Sequence, residues 1–470
     1  MPGASERLLE DTQIDSALER ASELGAQYAD IRLVSLDNNS VAMRDGQLEK
    51  SISGVDLGAT LRVLADGAWG TYSTTDISSL VQNVDTTFRL AKSIAQRRPS
   101  GQSAIELAEV PIKSDRIDWQ PKKDIRDIGL EQRLEMMHNL SQEASDDDRV
   151  ISTTVGWSDE HIHNELRSTE GMDRCWTWQR SLIHAMVTAR DGDSVVSFRN
   201  RHGGEGGFEI IQSADLAEIG ADSRNSVIRL LSAERSPSGS LPLVADRDLT
   251  GVYIHEALGH PCEADLVASG DSCLDGKLGV KIGNEIVNVI DDPTIRGGYG
   301  AHPVDDEGLD TVEKSLIENG VLKTYLNHRE TAARFDIEPN AGARAQDGLH
   351  RPLVRMSNTL IKAGSHRDLE ALLEDIDHGV YACGTRGGQV DTGRGSFQFA
   401  AQEAWLIENG ELTKPLKDVS VSGMTLEILS KVDGLAEDAR LASPGFCGKG
   451  QTVPVGDGGP IMRISDALVG

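Results

Sequence analysis

The chain has 470 residues, and its 75 acidic against 47 basic side chains give a formal net charge of -28. This acid excess excludes a free-standing nucleic-acid binder, which needs basic side chains to displace the counterions of the phosphates. It also argues against binding to an anionic membrane surface. Because salt screens the self-repulsion of such a chain, the acidity is typical of a protein from a halophilic, salt-rich cytoplasm.

The cysteines and the N-terminal segment predict the compartment. The five cysteines are odd in number and widely spaced, which argues against a disulfide framework and for a reducing environment. The first residues lack a basic start followed by an apolar run, so no signal peptide is expected. No stretch approaches 18 consecutive apolar residues, so no membrane span is expected. These features together predict a cytoplasmic protein.

The first hundred residues have the pattern of two helices that flank an antiparallel sheet. Apolar residues at helical spacing predict a helix over 11–24, which Gly25 ends. The Asp-Gly pairs at 45–46 and 66–67 are typical of hairpin turns. A second helix is predicted over 76–96. This order predicts an α+β layer.

The stretch that follows repeats the alternation of helices and strands. After a proline-containing connection, its predicted elements are a helix over 123–144, strands over 150–198 with turns near Ser158-Asp159, Gly171 and Asp191-Gly192, and a helix over 215–233. The glycine-rich run at 199–209 is expected to form a loop.

A domain boundary is predicted near Ser236-Pro237. The N-terminal domain would span 1–235, with subparts at about 8–100 and 120–235, and the C-terminal domain would span 236–470. The second half has many glycine pairs and short β runs, with one predicted helix over 367–376. The predicted fold is therefore α+β: an N-terminal helix-plus-antiparallel-sheet domain, then a β-rich domain with a strongly curved sheet or partial barrel.

The segment that indicates chemistry is H-E-x-x-x-H, formed by His255, Glu256 and His260. In the zinc-protease motif H-E-x-x-H the histidines are four residues apart and the glutamate is the general base. Five residues of regular α-helix turn by about 500°, which leaves the two side chains about 140° apart. Gly259 weakens the helix and Pro261 disfavours helical backbone at His260. We therefore expect the helix to distort or end at His260, so that both imidazoles can bind one metal ion.

A catalytic zinc usually has three protein ligands and a water, so a third ligand is needed. Cys447, in a segment rich in glycine and proline, and Glu263, close to the histidines, both remain candidates. Cys262 lies only two residues after His260, which is awkward for binding the same ion. Hydrogen-bonded structural histidines and a buried, inert cysteine are the alternative interpretation.

The chain also resembles, over almost its whole length, the TldD branch of the TldD/PmbA family of metalloproteases. The matching segments are, in chain order, ELGAQYADIR, GAWGTYST, HEALGHPCEAD, VDDEG, LIENGVLKTYL, RMSNT, GGQVD, EAWLIENG and CGKGQTVPVG. The resemblance implies that Zn²⁺ is bound by His255, His260 and Cys447, with Glu256 as the base. It also implies cleavage of unfolded or extended peptides by a homodimer, or by a heterodimer with a PmbA-like non-catalytic chain.

Two other functions are compatible with the sequence, and one role stays open. The chain could be a non-proteolytic modulator or binding partner of another protein, or a zinc hydrolase of non-peptide amides. The residue that would stabilise an oxyanion stays open. Tyr299, His302 and Arg386 are candidates because they lie in the same half of the chain as the histidine motif, although packing or surface roles are commoner for such residues. The charge of -28 would favour metal binding and disfavour acidic peptides.

Overall fold

A computed structural model describes Leu8 and residues 11–470. The expectation that the N-terminus is not a signal peptide concerns mostly residues 1–7, 9 and 10, which lie outside the described part. The elements of the first half are α1 (Asp11–Glu23), β1 (Tyr28–Arg44), β2 (Gln47–Ala65), β3 (Ala68–Thr74), α2 (Leu80–Gln96), β4 (Ser114–Asp118), α3 (Leu130–Ser145), β5 (Val150–Ser168), β6 (Asp173–Asp191), β7 (Ser194–Glu205), α4 (Phe208–Gln212) and α5 (Leu216–Leu231).

The seven strands of the first half form one sheet in the order β3-β2-β1-β5-β6, with β4 and β7 both paired to β6. All pairings are antiparallel except β4 with β6. Side chains at alternate positions of β1, such as Ile31 and Val41, pack under the helices. The opposite face, with Val34 on β1 and Trp178 on β6, lines a cavity against the second half of the chain.

The two predicted hairpins and the helices α1, α2 and α5 are confirmed. Asp45 and Asp66 have φ values of 51° and 50°, followed by Gly46 and Gly67 at 74° and 68°. Two successive residues with positive φ form the tight turn that matches strand twist, so local chemistry sufficed to predict it. Helix α3 starts later than predicted, at Leu130, because a 3₁₀ turn occupies Ile125–Asp127.

Two predictions in the first sheet are wrong. No turn forms at Ser158-Asp159, because β5 continues through it and the buried Asp159 carboxylate accepts a hydrogen bond from Trp157 Nε1. The run at 199–209 is not a loop, since β7 extends to Glu205. A Cβ on Gly204 would lie 2.2 Å from the Gly297 carbonyl oxygen, so this glycine permits close approach of two backbones.

The second half is richer in short elements. They are β8 (Glu234–Arg235), β9 (Gly239–Ala245), α6 (Arg247–Ile254), α7 (Ala264–Ser269), β10 (Val289–Asp291), β11 (Lys314–Glu318), β12 (Val321–Leu322), α8 (Arg329–Phe335), β13 (Ala343–Arg344), β14 (Leu353–Val354), β15 (Asn358–Ile361), α9 (Leu369–Leu373), β16 (His378–Cys383), β17 (Gly387–Asp391), β18 (Ser396–Ala400), β19 (Glu403–Glu408), β20 (Glu411–Lys417), β21 (Ser420–Met424), α10 (Thr425–Lys431), β22 (Val432–Leu435), β23 (Arg440–Gly448), β24 (Thr452–Gly459) and β25 (Met462–Val469).

Two large sheets enclose the core of this half. One has the strand order β17-β18-β21-β25-β9-β16-β19-β20-β8, with β22 also paired to β25. The other has the order β12-β11-β10-β15-β24-β23. Helix α6 contacts strands of both sheets, and one hydrophobic cluster joins them. The predicted α+β class with a curved, β-rich second half is confirmed.

The prediction of a single helix over 367–376 is incomplete. Helix α9 is there, but α7, α8 and α10 also form, each six or seven residues long. Elements of this length are too short to show a helical period in the sequence. The division at Ser236-Pro237 stays a prediction. No helix in the described part of the chain is both long and apolar enough to cross a membrane.

Candidate metal centre

The histidine motif lies on a helix that changes its hydrogen-bonding pattern. Helix α6 ends at Ile254 and continues as one π-helical turn over His255–Gly259. His260 N donates to the His255 carbonyl oxygen at 3.1 Å, an i to i+5 bond. The wider turn brings the two imidazoles together, with ring centroids 5.1 Å apart. The predicted distortion at His260 is confirmed, and it takes the form of a π turn.

Close packing shows why glycine occurs twice on this helix. A Cβ on Gly259 would lie 2.0 Å from Met356 Sδ, and a Cβ on Gly251 would lie 2.4 Å from Gly458 N. Both distances are far below a van der Waals contact, so larger residues would push the helix away from β15 and β24. The glycines therefore hold the motif against the sheet that carries the third metal-binding candidate.

Three buried side chains converge at the π turn. One ligand atom each from His255, His260 and Cys447 lies within 4.8 Å of the other two, and Cys447 Sγ is 3.2 Å from His260 Nε2. Zinc binds imidazole nitrogen and thiolate sulfur at about 2.0–2.3 Å, so tetrahedral donors lie roughly 3.3–3.7 Å apart. The donor set and its spacing therefore fit a zinc ion with a fourth position left for water.

Each histidine is oriented by a buried carboxylate. His255 Nδ1–H donates to Asp457 Oδ1 at 2.7 Å, and His260 Nδ1–H donates to Glu263 Oε2 at 2.9 Å. With Nδ1 bound to a carboxylate, Nε2 of each ring is the atom that a metal ion would bind, an arrangement common around metal-binding histidines. Glu263, one of the two candidates for third ligand, thus accepts from His260, and Cys447 is the candidate whose ligand atom lies with those of the two histidines.

Asp457 was missed by the sequence analysis. It follows Gly456 and precedes Gly458 on β24, and a Cβ on either glycine would lie within 2.5 Å of a neighbouring atom. The glycines let β24 pass between β15 and β23, which brings Asp457 beneath the π turn. An isolated acid inside a glycine run was the available signal, but only the fold shows that it faces His255.

Two cations compensate the buried charge of Glu263, whose side chain is 0% exposed. Lys449 Nζ lies 3.2 Å from its carboxylate and Arg355 Nε lies 3.6 Å away. Burial would raise the pKa of Glu263, but Lys449 and His260 lower it to about 2. Arg355 Nη2 also donates to the Cys447 carbonyl oxygen at 2.6 Å, so the same cations fix the strand that carries the thiol.

Glu263→Gln is expected to lower the free energy of unfolding of metal-free protein at pH 7 by about 3 kcal/mol, because it leaves buried cations unpaired. The folded-state pKa of about 2 lies below the ordinary value of 4.5. The stabilisation is therefore complete above about pH 4.5 and is lost as pH falls towards 2. Denaturant titrations across this range should show the difference between variant and wild type shrinking towards low pH. The exposed Glu285→Gln is the control, and a pH-independent difference would contradict the assignment.

The thiol and the central carboxylate have shifted pKa values that suit a metal site. Burial would raise the pKa of Cys447, but His255 and His260 lower it to about 5, so the thiolate predominates at neutral pH. Burial raises the pKa of Glu256 above its usual range, while the two histidines oppose the shift. Glu256 Oε2 lies 3.8 Å from His260 Nε2, beside the converging donors. A carboxylate there can exchange a proton with a water bound at this point.

A cavity of about 170 Å³ opens beside this carboxylate. Its walls include His255, Glu256 and two arginines of β7, Arg199 and Arg201. Burial lowers the pKa of Arg201, and the charge of Arg199 lowers it further. Both arginines lie in the run at 199–209 that was expected to form a loop, so neither is among the predicted site residues. Their alternation in R-N-R was the available signal of a strand that places two cations on one face.

The three oxyanion candidates lie elsewhere. Tyr299 packs edge-to-face on Phe446 with ring centroids 5.6 Å apart. His302 Nδ1–H donates to the Gly300 carbonyl oxygen, and its ring lines a different cavity. Arg386 Nε donates to the Ala401 carbonyl oxygen. None of the three lines the cavity that contains Glu256.

A second buried cluster provides a useful comparison. His163, Glu165 and Cys175 also have ligand atoms within 4.8 Å of one another, in the first sheet. His163 Nε2 lies 2.9 Å from Cys175 Sγ, but the Glu165 carboxylate accepts a hydrogen bond from Leu8 N. Its carboxylate is thus engaged by a backbone donor, whereas Glu256 at the π turn lines a cavity.

Family models cover most of the chain. Residues 238–470 match the PmbA/TldA metallopeptidase C-terminal domain, 29–95 match domain 1 and 123–231 match the central domain. A metalloprotease of Methanothermobacter thermautotrophicus is 43% identical over 94% of this chain and 95% of its own length. The chain belongs to the TldD/PmbA metallopeptidase family. It is accordingly a peptidase, and its relatives are metalloproteases.

Other members of the TldD/PmbA family are similar over nearly their full length. The metalloprotease of Methanocaldococcus jannaschii is 39% identical over 95% of this chain and 97% of its own. A protein of Saccharolobus solfataricus named zinc metalloprotease TldD homolog is 30% identical over 96% and 98%. This name assigns zinc to that relative.

Solved structures share the fold of this TldD/PmbA member. A putative modulator of a DNA gyrase from Thermotoga maritima has a TM-score of 0.80 at 23% identity, covering 98% of this chain and all of its own. TldE from Thermococcus kodakarensis has a TM-score of 0.76 at 16% identity, with 97% and 99% covered. At these identities the likeness concerns the fold.

Proposed function

We propose that this protein is a zinc-dependent protease that hydrolyses peptide bonds in unfolded or extended peptides. The observation that carries the proposal is the convergence of His255, His260 and Cys447 beside Glu256. Two carboxylates hold the imidazoles with Nε2 free, and the thiol is held as a thiolate. This set provides three ligands of the types that zinc prefers, with the Glu256 carboxylate 3.8 Å from His260 Nε2.

The chemistry divides between the metal and the chain. A bound zinc supplies a water of lowered pKa and polarises the carbonyl of the scissile bond. Glu256 accepts the proton of the attacking water and passes it to the leaving amine. Its partial burial raises its pKa, which makes it a stronger base than an exposed glutamate. Asp457 and Glu263 keep the two imidazoles in one tautomer and orientation.

Two sheet edges beside the candidate centre favour an extended peptide as the substrate. Strand β17 is the edge of the ten-stranded sheet, and β23, which carries Cys447, is the edge of the six-stranded sheet. Gly387 and Gly388 of β17 and Gly445 of β23 line the cavity with Glu256. An extended peptide can pair its backbone with such an edge, which gives affinity with little demand on sequence. A folded protein has few free backbone groups to offer.

We also propose a dimer, either of two copies or with a PmbA-like non-catalytic chain, in the cytoplasm. The family resemblance supports it, and so does the exposure of β17 beside the centre. An uncovered strand edge invites pairing with other chains. A partner that limits access to this edge would restrict cleavage to unfolded chains.

Metal removal tests the proposal. Purified protein should contain one zinc per chain by elemental analysis and should cleave an unstructured peptide. Dialysis against a chelator should abolish cleavage, and Zn²⁺ should restore it. A folded protein and small non-peptide amides are the comparison substrates. Faster turnover of the amides than of the peptide would favour a zinc hydrolase of non-peptide amides. Action on a partner protein without zinc would favour a non-proteolytic modulator.

A further inference from the structure

A second cavity, of about 810 Å³, lies between the first sheet and the second half of the chain. It is separate from the cavity that contains Glu256, but Phe446 lines both, and Cys447 follows Phe446 directly. The Phe446 side chain is 53% exposed, although it is large and apolar. The two cavities therefore meet at Phe446, next to Cys447 of the candidate metal centre.

Arg344 on β13 is an unpaired cation in the wall of this cavity. It is 7% exposed, and Nη1 donates to the Met356 carbonyl oxygen at 2.6 Å. Among the described residues, no carboxylate lies within 4.0 Å of its guanidinium. The two acids that attract it have other partners, since Asp306 pairs with Arg32 at 3.2 Å and Asp291 pairs with Lys314 at 3.0 Å.

A buried guanidinium without an anion is costly, because its desolvation is not repaid by an ion pair. Burial and the neighbouring charges of Arg180 and Arg355 lower the pKa of Arg344 to about 9, so it stays protonated at neutral pH. The other two arginines of the wall are paired, Arg32 with Asp306 and Arg180 with Glu160. Arg344 is thus the cation of this wall with which an incoming anion would form an ion pair.

An unpartnered acceptor faces the same cavity. His302 is 4% exposed, and because its Nδ1–H donates to the Gly300 carbonyl oxygen, Nε2 carries a lone pair. That Nε2 is buried and has no hydrogen-bond partner among the residues that the structure describes. Burial lowers the pKa of His302 well below its usual value, and the charge of Arg344 lowers it further. The cavity therefore offers a charged donor and a neutral acceptor. Its other walls combine apolar side chains, among them Val34, Ile162 and Trp178, with polar ones that include four carboxylates.

We propose that this cavity binds the C-terminal end of the peptide substrate, with the α-carboxylate on Arg344 and the last peptide N–H on His302 Nε2. The inference rests on the proposed peptidase function and names its substrate class: peptides with a free carboxylate and an apolar last residue. Guanidinium and carboxylate form strong, directional pairs. A terminal residue carries its carboxylate and its N–H on the same Cα, so one residue can engage two groups of one cavity wall. The overall charge of -28 would repel an anion, so a dedicated cation is needed to retain one.

The test compares three peptides of one sequence with an apolar last residue: the free acid, the C-terminal amide, and the amide with an internal Gln changed to Glu. Steady-state kinetics of wild type should give a KM about tenfold lower for the acid than for either amide. Calorimetric dissociation constants with Glu256→Gln should show the same ratio, and they remain measurable without turnover.

Arg344→Gln should reduce the acid-to-amide ratio to about one, and the milder Arg344→Lys should reduce it partly, because Lys keeps the charge but loses the paired donors. The double variant Arg180→Gln/Glu160→Gln removes another arginine of the wall without changing net charge, and it should keep the wild-type ratio. Thermal melts identify any variant that fails to fold.

Equal binding of acid and amide by wild type would overturn the carboxylate site, while cleavage of both would leave the peptidase intact. If the internal Glu improved binding as much as the free C-terminal carboxylate does, Arg344 would be a site for acidic side chains. That result would also overturn the terminal site. Absence of cleavage with a preserved binding preference would instead refute the peptidase function.

Discussion

Glu256→Gln is expected to lower kcat/KM for peptide cleavage by a factor of about 10²–10⁴ while zinc content stays at the wild-type level. The amide has nearly the same shape as the carboxylate but cannot accept the proton of the attacking water. The metal-binding atoms belong to other residues, and Asp457 and Glu263 continue to hold the histidines. Cleavage of an unstructured peptide and elemental analysis of the same sample measure both effects.

The matched control is Glu285→Gln, which makes the same change at an exposed glutamate outside the site. It should retain full activity. Wild-type activity of Glu256→Gln with bound zinc would remove Glu256 from the role of base. Loss of zinc in this variant would show that the carboxylate is needed for metal binding itself.

Cys447→Ala is expected to lower zinc affinity by more than about 100-fold, because it removes a ligand, whereas changes of outer partners alone cost 10–100-fold. Activity should fall with the lost metal. Cys447 is 4% exposed and its thiol lies 3.2 Å from His260 Nε2. A side chain from the protein surface therefore cannot take the position of the thiol without rearrangement. Zinc per chain after gel filtration, and competition with a chromogenic chelator, measure the loss.

Cys175→Ala is the control for the loss of a buried thiol. Its Sγ also contacts a histidine Nε2, that of His163, at 2.9 Å. If the centre at the π turn is the zinc site, Cys175→Ala keeps one zinc per chain. Retained zinc in Cys447→Ala would refute the third ligand, and zinc loss in Cys175→Ala would move the metal to the first sheet.

Local signals explain which parts of the fold were predictable. The Asp-Gly turns at 45–46 and 66–67 and the helix α1 depend on neighbouring residues, so composition and spacing were sufficient. The run at 199–209 was not predictable in this way. Its glycines allow contact with Gly297, nearly a hundred residues away, and the same residues in isolation would favour a loop.

The metal centre shows the same division. The spacing of His255 and His260, with Gly259 and Pro261, was enough to predict a distorted helix and a metal site. Cys447 and Glu263 could not be separated from the residues alone, because both candidates are compatible with the spacing and the family resemblance supplied the choice. In the fold, Glu263 binds Nδ1 of His260 and Cys447 approaches Nε2, which gives them different tasks.

By itself, the sequence determined the net charge of -28, the α+β class and the histidine motif with its base, because each depends on composition or on residues close together in the chain. Only the tertiary structure decided that the distortion is a π turn, that Asp457 holds His255, and that Arg344 lies unpaired beside His302. These features join residues up to 202 positions apart. Burial and pairing are properties of such long-range contacts, and no local pattern encodes them.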